Sequence, residues 1–157
     1  MADKKILLVD YDVKNREALA ALFEPYRFRI FQASDGAAAY DSFKIENPDL
    51  VFLEAILPKL HGFDLTKRIT RESKGQTSVI IVTGLYRGPQ YKQEALTSFG
   101  AAAYFEKPFD GEHLLQTALD LLREKSDFGV DLPTAAEVIR FLSDHLKAAS
   151  PGPPAQG

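Results

Sequence analysis

The sequence predicts an α/β domain built on an open, doubly wound parallel sheet. Over residues 1–125, short apolar runs alternate five times with segments whose apolar residues recur at helical spacing. Alternation of this kind requires parallel strands with helices covering both faces of the sheet, and five units are too few for a closed eight-unit barrel. We therefore expect five βα units in the strand order 2-1-3-4-5, followed by a C-terminal helical extension.

The five predicted strands are short and rich in β-branched or aromatic residues. They cover residues 6–9, 28–32, 49–53, 78–83 and 101–105. The third run is apolar enough to be buried on both faces, and it stops abruptly on the carboxylate of Glu54. A carboxylate at this point is the most informative residue in the chain, because ligands bind at the carboxyl ends of strands in open parallel sheets.

A helix is predicted after each strand from apolar residues that share one face. The helices cover about residues 13–24, 37–45, 63–72, 91–99 and 110–122. Pro25 ends the first helix, and Gly100 is expected to close the fourth. In the second helix, Ala38, Phe43 and Tyr40 are expected to face the core.

Composition excludes several classes of protein. With 45% hydrophobic and 26% charged residues, the chain is ordinary for a globular domain, and its net charge of -3 argues against direct DNA binding. The absence of cysteine excludes disulfides, thiolate catalysis and cysteine-ligated metal centres. The first apolar run is too short for a signal peptide or a membrane span, so we expect a cytoplasmic protein without membrane contact.

The chain changes character after residue 125. We expect a linker at 126–132, an amphipathic helix at 133–149 and a disordered tail at 150–157, where three prolines occur. A helix this short is marginal alone in water, so it should dock either on the domain itself or on a partner. Capping-box spacing and an apolar stripe support the helix, through Thr134 and Glu137, and through Val138, Ile139, Leu142 and Leu146.

Polar side chains stand where four of the predicted strands end. They are Asp10 and Asp12 after the first strand, Glu54 after the third, Thr83 in the fourth and Lys107 after the fifth. Because the first and third strands are neighbours in the expected order, the carboxylates should converge, with Thr83 and Lys107 across from them. Carboxylates with one lysine are the composition of a magnesium-assisted phosphoryl site, although Asp12 is equally well explained as a helix N-cap.

Five stretches of the chain occur together in a recognisable order. They are Ile6-Leu7-Leu8-Val9-Asp10, Pro48-Asp49-Leu50-Val51, Leu57-Pro58 with Gly62, Ile80-Ile81-Val82-Thr83-Gly84 and Gly100-Ala101-Ala102-Ala103-Tyr104-Phe105-Glu106-Lys107-Pro108-Phe109. In these stretches, residues 4–123 resemble the receiver domain of two-component response regulators. The resemblance implies the flavodoxin-like fold and a protein partner, reached through the face of the fourth helix, fifth strand and fifth helix or through the C-terminal helix. It also implies that Thr83 senses a phosphoryl group, that Tyr104 is a rotating switch aromatic and that Lys107 pairs with the acceptor carboxylate.

Two positions depart from the family pattern. The family accepts phosphate on an aspartate at the end of the third strand, where this chain has Glu54, whose carboxylate reaches one methylene further. The family also has two adjacent acidic residues after the first strand, and here Tyr11 follows Asp10 in place of the second. A misplacement of about 1 Å can cost roughly 100-fold in rate. Losing a carboxylate also weakens the binding of Mg²⁺.

These departures favour a pseudo-receiver, which is a non-catalytic protein–protein interaction module that acts without phosphorylation. The alternative is a single-domain response regulator that accepts a phosphoryl group, with Mg²⁺ bound weakly at Asp10 and Asp12. A flavodoxin-like small-molecule binder is disfavoured because residues 10–16 contain no glycine to cradle a phosphate. The sequence leaves open whether the chain forms a homodimer and whether Glu54 favours the active or the inactive arrangement.

Overall fold

The computed structural model describes residues 3–86, 88–123 and 134–149, with side chains in the last of these ranges as far as Asp144. The linker expected at 126–132 and the tail expected at 150–157 lie outside the described residues. Leu146, the last member of the predicted apolar stripe, lies outside the described side chains.

Five parallel strands form one sheet in the order β2-β1-β3-β4-β5. This confirms the predicted flavodoxin-like architecture. The fifth strand begins two residues later than predicted, because the chain leaves the preceding helix through Gly100 in a left-handed conformation with φ of 82°. The strands are β1 (Lys5–Val9), β2 (Arg29–Ala33), β3 (Leu50–Leu53), β4 (Ser78–Thr83) and β5 (Ala103–Glu106).

One helix follows each strand, and a sixth helix follows the fifth. Asp12 and Asp35 cap the first two helices, each accepting a backbone N–H of the first turn. The second helix faces the core through Ala39 and Phe43, so the prediction of Ala38 was wrong by one position. The helices are α1 (Val13–Phe23), α2 (Gly36–Glu46), α3 (Gly62–Glu72), α4 (Pro89–Thr97), α5 (Gly111–Arg123) and α6 (Ala135–Ala149).

The core has two layers, one on each side of the sheet. Alternate residues of each strand point to opposite faces, so Ile6 and Leu8 pack with α1 and α5 while Leu7 and Val9 pack with α2, α3 and α4. All four of these side chains are 0–2% exposed. Burial on both faces explains why the strands are continuous apolar runs and why their carboxyl ends are held in fixed positions.

The sixth helix packs on the domain itself. Thr134 and Glu137 form the predicted capping box, with N···O distances of 2.9 and 3.1 Å between each backbone N–H and the other side chain. Ala135 and Val138 are each 1% exposed and belong to the same apolar cluster as α1 and α5. The sequence left two alternatives for this helix, docking on its own domain or on a partner. In the structure it docks on its own domain.

None of the helices in the described part of the chain is long and apolar enough to span a lipid bilayer.

Replacement of Val138 by alanine tests the contribution of α6 to the core. Loss of buried methyl groups from a nearly inaccessible position should lower the free energy of unfolding by about 1–2 kcal/mol. Urea unfolding followed by circular dichroism measures this change. The matched control is Ser143→Ala, an exposed position on the same helix. If both variants unfold at the urea concentration of the wild type, α6 does not contribute to the core in solution.

Candidate functional site

The register of the sheet brings two carboxylates together at its carboxyl edge. Val9 pairs with Leu53 across the β1–β3 ladder. The residues that follow them, Asp10 and Glu54, therefore come side by side. The backbone N–H of Glu54 still donates to the carbonyl oxygen of Val9, at 3.0 Å, so the ladder continues up to the site. The predicted convergence of these two side chains follows directly from strand pairing.

The ammonium of Lys107 lies between the two carboxylates. The backbone N–H of Lys107 donates to the carbonyl oxygen of Thr83 at 2.9 Å, which fixes the position from which its side chain extends. Its Nζ lies 3.0 Å from Oδ2 of Asp10 and 2.9 Å from Oε1 of Glu54. Asp10 is 3% exposed and Glu54 is 5% exposed. One lysine thus compensates two buried carboxylates, and we call Asp10, Glu54 and Lys107 the ion-pair cluster.

The carboxylates of the cluster accept further hydrogen bonds. Oδ1 of Asp10 accepts the backbone N–H of Asp12 at 2.9 Å, and Oδ2, which also contacts Lys107, accepts the side-chain amide of Asn15 at 3.2 Å. Oε2 of Glu54 accepts the backbone N–H of Ile56 at 3.1 Å. Sequence reasoning missed Asn15 and the Ile56 amide. Asn15 could have been found, because the first turn of a helix beginning at this sheet edge faces the site.

Contacts with the carboxylates keep Lys107 charged. Burial alone would lower the pKa of Lys107, because a desolvated ammonium is less stable. The hydrogen bonds to Glu54 and Asp10 and their negative charges outweigh burial, and the pKa is raised above its ordinary value. Lys107 therefore remains an ammonium throughout the physiological range of pH.

Asp12 and Tyr11 take other positions at the same edge. Oδ1 of Asp12 accepts the backbone N–H of Lys14 at 2.9 Å, so the N-cap interpretation of this residue is the one that the structure contains. Tyr11 points outward and is 62% exposed. Of the two acidic residues after β1, only Asp10 thus belongs to the ion-pair cluster.

The cluster, as arranged, does not fit a magnesium ion. Mg²⁺ requires near-octahedral coordination by oxygen, supplied by carboxylates and water. Here an ammonium already contacts Asp10 and Glu54, and an oxygen of Asp12 is engaged as a helix cap. Over the ranges that the structure describes, no three acidic or histidine side chains are grouped to hold a metal ion.

Thr83 and Tyr104 are both connected to the loop that follows β4. Thr83 is fully buried, and its Oγ1 accepts the backbone N–H of Leu85 at 3.3 Å. The hydroxyl of Tyr104 donates to the carbonyl oxygen of Tyr86 at 2.6 Å, and the residue is 6% exposed. Tyr104 therefore binds the backbone of this loop through its hydroxyl, and its ring is buried. The sensing and switching roles that the resemblance gives to these residues remain predictions.

A glycine allows the start of α3 to approach the site closely. A Cβ atom on Gly62 would lie 2.5 Å from the carbonyl oxygen of Glu54 and 2.7 Å from Cα of Ala55. These separations are too short for any side chain, so only glycine permits the contact. The N–H of Gly62 donates to the carbonyl oxygen of Ala55 at 2.8 Å, which closes the loop after β3 and fixes the backbone of Glu54.

Comparison with protein families and curated proteins gives a consistent result. Residues 6–119 match the family model described as the response regulator receiver domain. Sporulation initiation phosphotransferase F of Bacillus subtilis (strain 168) is 33% identical over 127 residues, which cover 81% of this chain and 100% of that protein. Transcriptional regulatory protein CpxR of Escherichia coli (strain K12) is 34% identical over 119 residues, covering 76% of this chain and 49% of that protein. Like CpxR, several of the curated relatives are matched over only about half of their length.

Solved structures show the same fold. The receiver domain of the Francisella response regulator 1452 superposes with a TM-score of 0.71 at 28% identity, covering 79% of this chain and 100% of that one. The signal receiver domain of an HD domain-containing protein from Pseudomonas fluorescens Pf-5 superposes with a TM-score of 0.72 at 27% identity, covering 79% of this chain and 98% of that one. In both cases the similarity extends over nearly the whole of the solved domain.

Replacing Lys107 by methionine should leave two buried carboxylates without a counter-charge. Removing one partner of a buried ion pair costs about 3–5 kcal/mol, so we expect a loss of about 3 kcal/mol in the free energy of unfolding at neutral pH. Urea unfolding at neutral pH measures it, with Lys67→Met, an exposed lysine, as the control. Equal stability of the two variants would show that the ion-pair cluster does not form.

The hydroxyl of Tyr104 should make stability depend on alkaline pH. Burial, reinforced by the carboxylates of Glu106 and Glu54, raises the pKa of Tyr104 from 10.0 to about 12. The folded state therefore holds the phenol proton more tightly than the unfolded chain. This contribution, about 2–3 kcal/mol, is complete below the ordinary pKa and is lost as pH rises through the folded pKa.

The comparison of wild type with Tyr104→Phe measures this effect. At neutral pH the variant should be less stable by about 1 kcal/mol, because the carbonyl of Tyr86 loses its donor. At about pH 11.5 the difference should shrink or reverse, because the variant has no phenol to ionise. A gap that stays constant in urea unfolding at the two pH values would contradict the predicted linkage.

Proposed function

The chain belongs to the response regulator receiver domain family, and on this premise we propose that it is a receiver that acts without being phosphorylated. Receiver domains are regulatory modules of two-component signal transduction and phosphorelay, and they act through partner proteins. The proposal concerns how this member is regulated. In our proposal it is a protein–protein interaction module whose signalling surface does not depend on a phosphoryl group.

The observation that carries the proposal is the ion pair of Lys107 with both Asp10 and Glu54. The charge of the ammonium is already balanced by protein carboxylates at distances of 3.0 and 2.9 Å. A phosphoryl group is therefore not needed to give Lys107 an anionic partner.

The state of Glu54 also disfavours phosphoryl transfer. One of its oxygens contacts Lys107 at 2.9 Å and the other accepts the N–H of Ile56 at 3.1 Å, so both oxygens are held in fixed directions. Its backbone is fixed by strand pairing and by the contact with Gly62, so the extra methylene cannot be absorbed by a shift of the chain. In-line transfer depends on positioning to within about 1 Å. These features together support a carboxylate that stabilises the site and does not accept phosphate.

The second candidate is a phosphoryl-accepting receiver with Mg²⁺. The observation in its favour is the match over the full length of sporulation initiation phosphotransferase F, whose name denotes phosphotransfer. This candidate requires the lysine to release at least one carboxylate and a metal to replace it. The geometry of the ion-pair cluster favours the first proposal.

The partner surface is part of the proposal. The apolar face of α6 is occupied by α1 and α5, which leaves the face formed by α4, β5 and α5 as the better candidate. A cleft of about 400 Å³ lies there along the edge strand, lined by residues that include Leu96, Ala103 and His113. A concave surface with small apolar side chains at its base suits a protein side chain or peptide.

Incubation with Mg²⁺ and acetyl phosphate, followed by intact mass measurement, tests the proposal. The wild type should gain no phosphoryl mass. The double variant Tyr11→Asp with Glu54→Asp restores both departures from the family pattern and should become labelled, which shows that the assay works on this scaffold. Glu54→Gln serves as the control for the site of labelling. A phosphorylated wild type whose label disappears in Glu54→Gln would overturn the proposal.

A further inference from the structure

The start of α4 is capped differently from the other helices. In the other five helices of the described part of the chain, a polar side chain just before the first turn accepts a backbone N–H of that turn. These side chains belong to Asp12, Asp35, His61, Asp110 and Thr134. The N-cap residue of α4 is Gly88, which has no side chain to serve in this way. The start of α4 therefore takes its capping contact from another part of the molecule.

Glu106 on β5 supplies that contact. Its Oε2 accepts the backbone N–H of Gly88 at 2.7 Å, although the two residues are 18 positions apart in the sequence. The same kind of hydrogen bond is made within α6, where Glu137 accepts the N–H of the N-cap residue Thr134. The first turn of α4 has no acidic residue of its own. A carboxylate from the strand therefore takes the place of the missing glutamate, and its charge favours the N-terminus of a helix.

The register of the sheet brings Glu106 to the start of α4. Glu106 pairs with Thr83, the last residue of β4, so it lies beside the point at which the chain leaves the sheet. Gly88 has φ of 115° and ψ of 155°, a conformation essentially restricted to glycine. Its N–H donates to β5, while its carbonyl oxygen accepts the N–H of Tyr91 at 3.2 Å and begins the helix. One residue thus joins α4 to the edge strand.

Tyr104 makes a second attachment between β5 and the same loop. Tyr104 and Glu106 are two positions apart on the strand, so their side chains point to the same face of the sheet. The hydroxyl of Tyr104 donates to the carbonyl oxygen of Tyr86 at 2.6 Å, two positions before Gly88. The edge strand therefore holds the loop at two points, once as donor and once as acceptor. Neither contact uses an atom of the ion-pair cluster.

We propose that Glu106 is the positioning residue of the candidate partner surface, and that its carboxylate holds the start of α4 against β5 without any phosphoryl group. Glu106 and Lys92 both line the cleft of about 400 Å³ on the face formed by α4, β5 and α5. A displacement of the start of α4 would move Lys92 relative to Glu106 and change the shape of that cleft. The inference rests on the proposed function in one respect, which is that this face is the partner surface.

Replacement of Glu106 by alanine tests the inference in the full-length, ¹⁵N-labelled protein without any phosphodonor. Loss of a hydrogen bond to a charged acceptor should raise the population in which the start of α4 is released from β5 by about 10-fold or more. ¹⁵N relaxation dispersion detects minor populations of this kind. Dispersion should increase at the amides of Gly88, Tyr91 and Lys92 and should not change at Val51 in the central strand β3.

Two further variants separate positioning from a general loss of stability. Glu106→Gln keeps a neutral oxygen that can accept the N–H of Gly88, so its released population should lie between those of the wild type and Glu106→Ala. Glu94→Ala removes an exposed glutamate from the same helix and should leave the relaxation dispersion at Gly88 unchanged. The spread of the amide chemical shifts verifies that each variant is folded.

Any of three results would overturn the inference. They are a released population in Glu106→Ala that equals that of the wild type, equal released populations in Glu106→Gln and Glu106→Ala, and an effect of Glu94→Ala as large as that of Glu106→Ala. Phosphoryl labelling is measured separately by mass on the wild type. A protein that is not labelled, but whose α4 stays in place without Glu106, would keep the proposed function and contradict this inference alone.

Discussion

The site depends on one interaction, the sharing of the Lys107 ammonium by two buried carboxylates. Asp10 and Glu54 come from neighbouring strands whose pairing leaves them side by side, and both are almost inaccessible to water. Two such charges would repel each other strongly without a cation between them. Lys107, which follows the edge strand β5, supplies that cation from two strands away from β3. The three side chains thus meet at the carboxyl edge of the sheet with their charges paired.

The same interaction connects the site to the loop after β4. The backbone of Lys107 is paired with Thr83, whose hydroxyl oxygen accepts the N–H of Leu85. Tyr104, three residues before Lys107, holds the next residue of that loop through the carbonyl of Tyr86. The carboxylates are thus joined to the loop by short, direct contacts. Signalling through these contacts, which remains a prediction, would require a second arrangement of different energy.

Much of this arrangement could be predicted from the sequence, because it follows from local rules. Apolar runs gave the strands, and parallel pairing then placed Asp10, Glu54 and Lys107 at one edge. Asp12 could either cap α1 or join the site, and the sequence could not decide between these roles. The choice depends on which way its side chain points, which residue type does not specify. The contacts of Asn15 and of the Ile56 amide depend on loop geometry, which residue type alone does not specify. The error at Ala38 arose because one step along a helix rotates a side chain by about 100°.

The docking of α6 has a practical consequence for choosing where to cut the chain. The family match ends at residue 119, yet Ala135 and Val138 are as inaccessible as the strands themselves. An expression boundary drawn from the match alone would uncover apolar side chains of α1 and α5, among them Leu22 and Leu115. A fragment of that kind would expose a contiguous hydrophobic surface and tend to aggregate. For this protein, a unit that keeps this apolar cluster covered extends beyond residue 119 and includes α6.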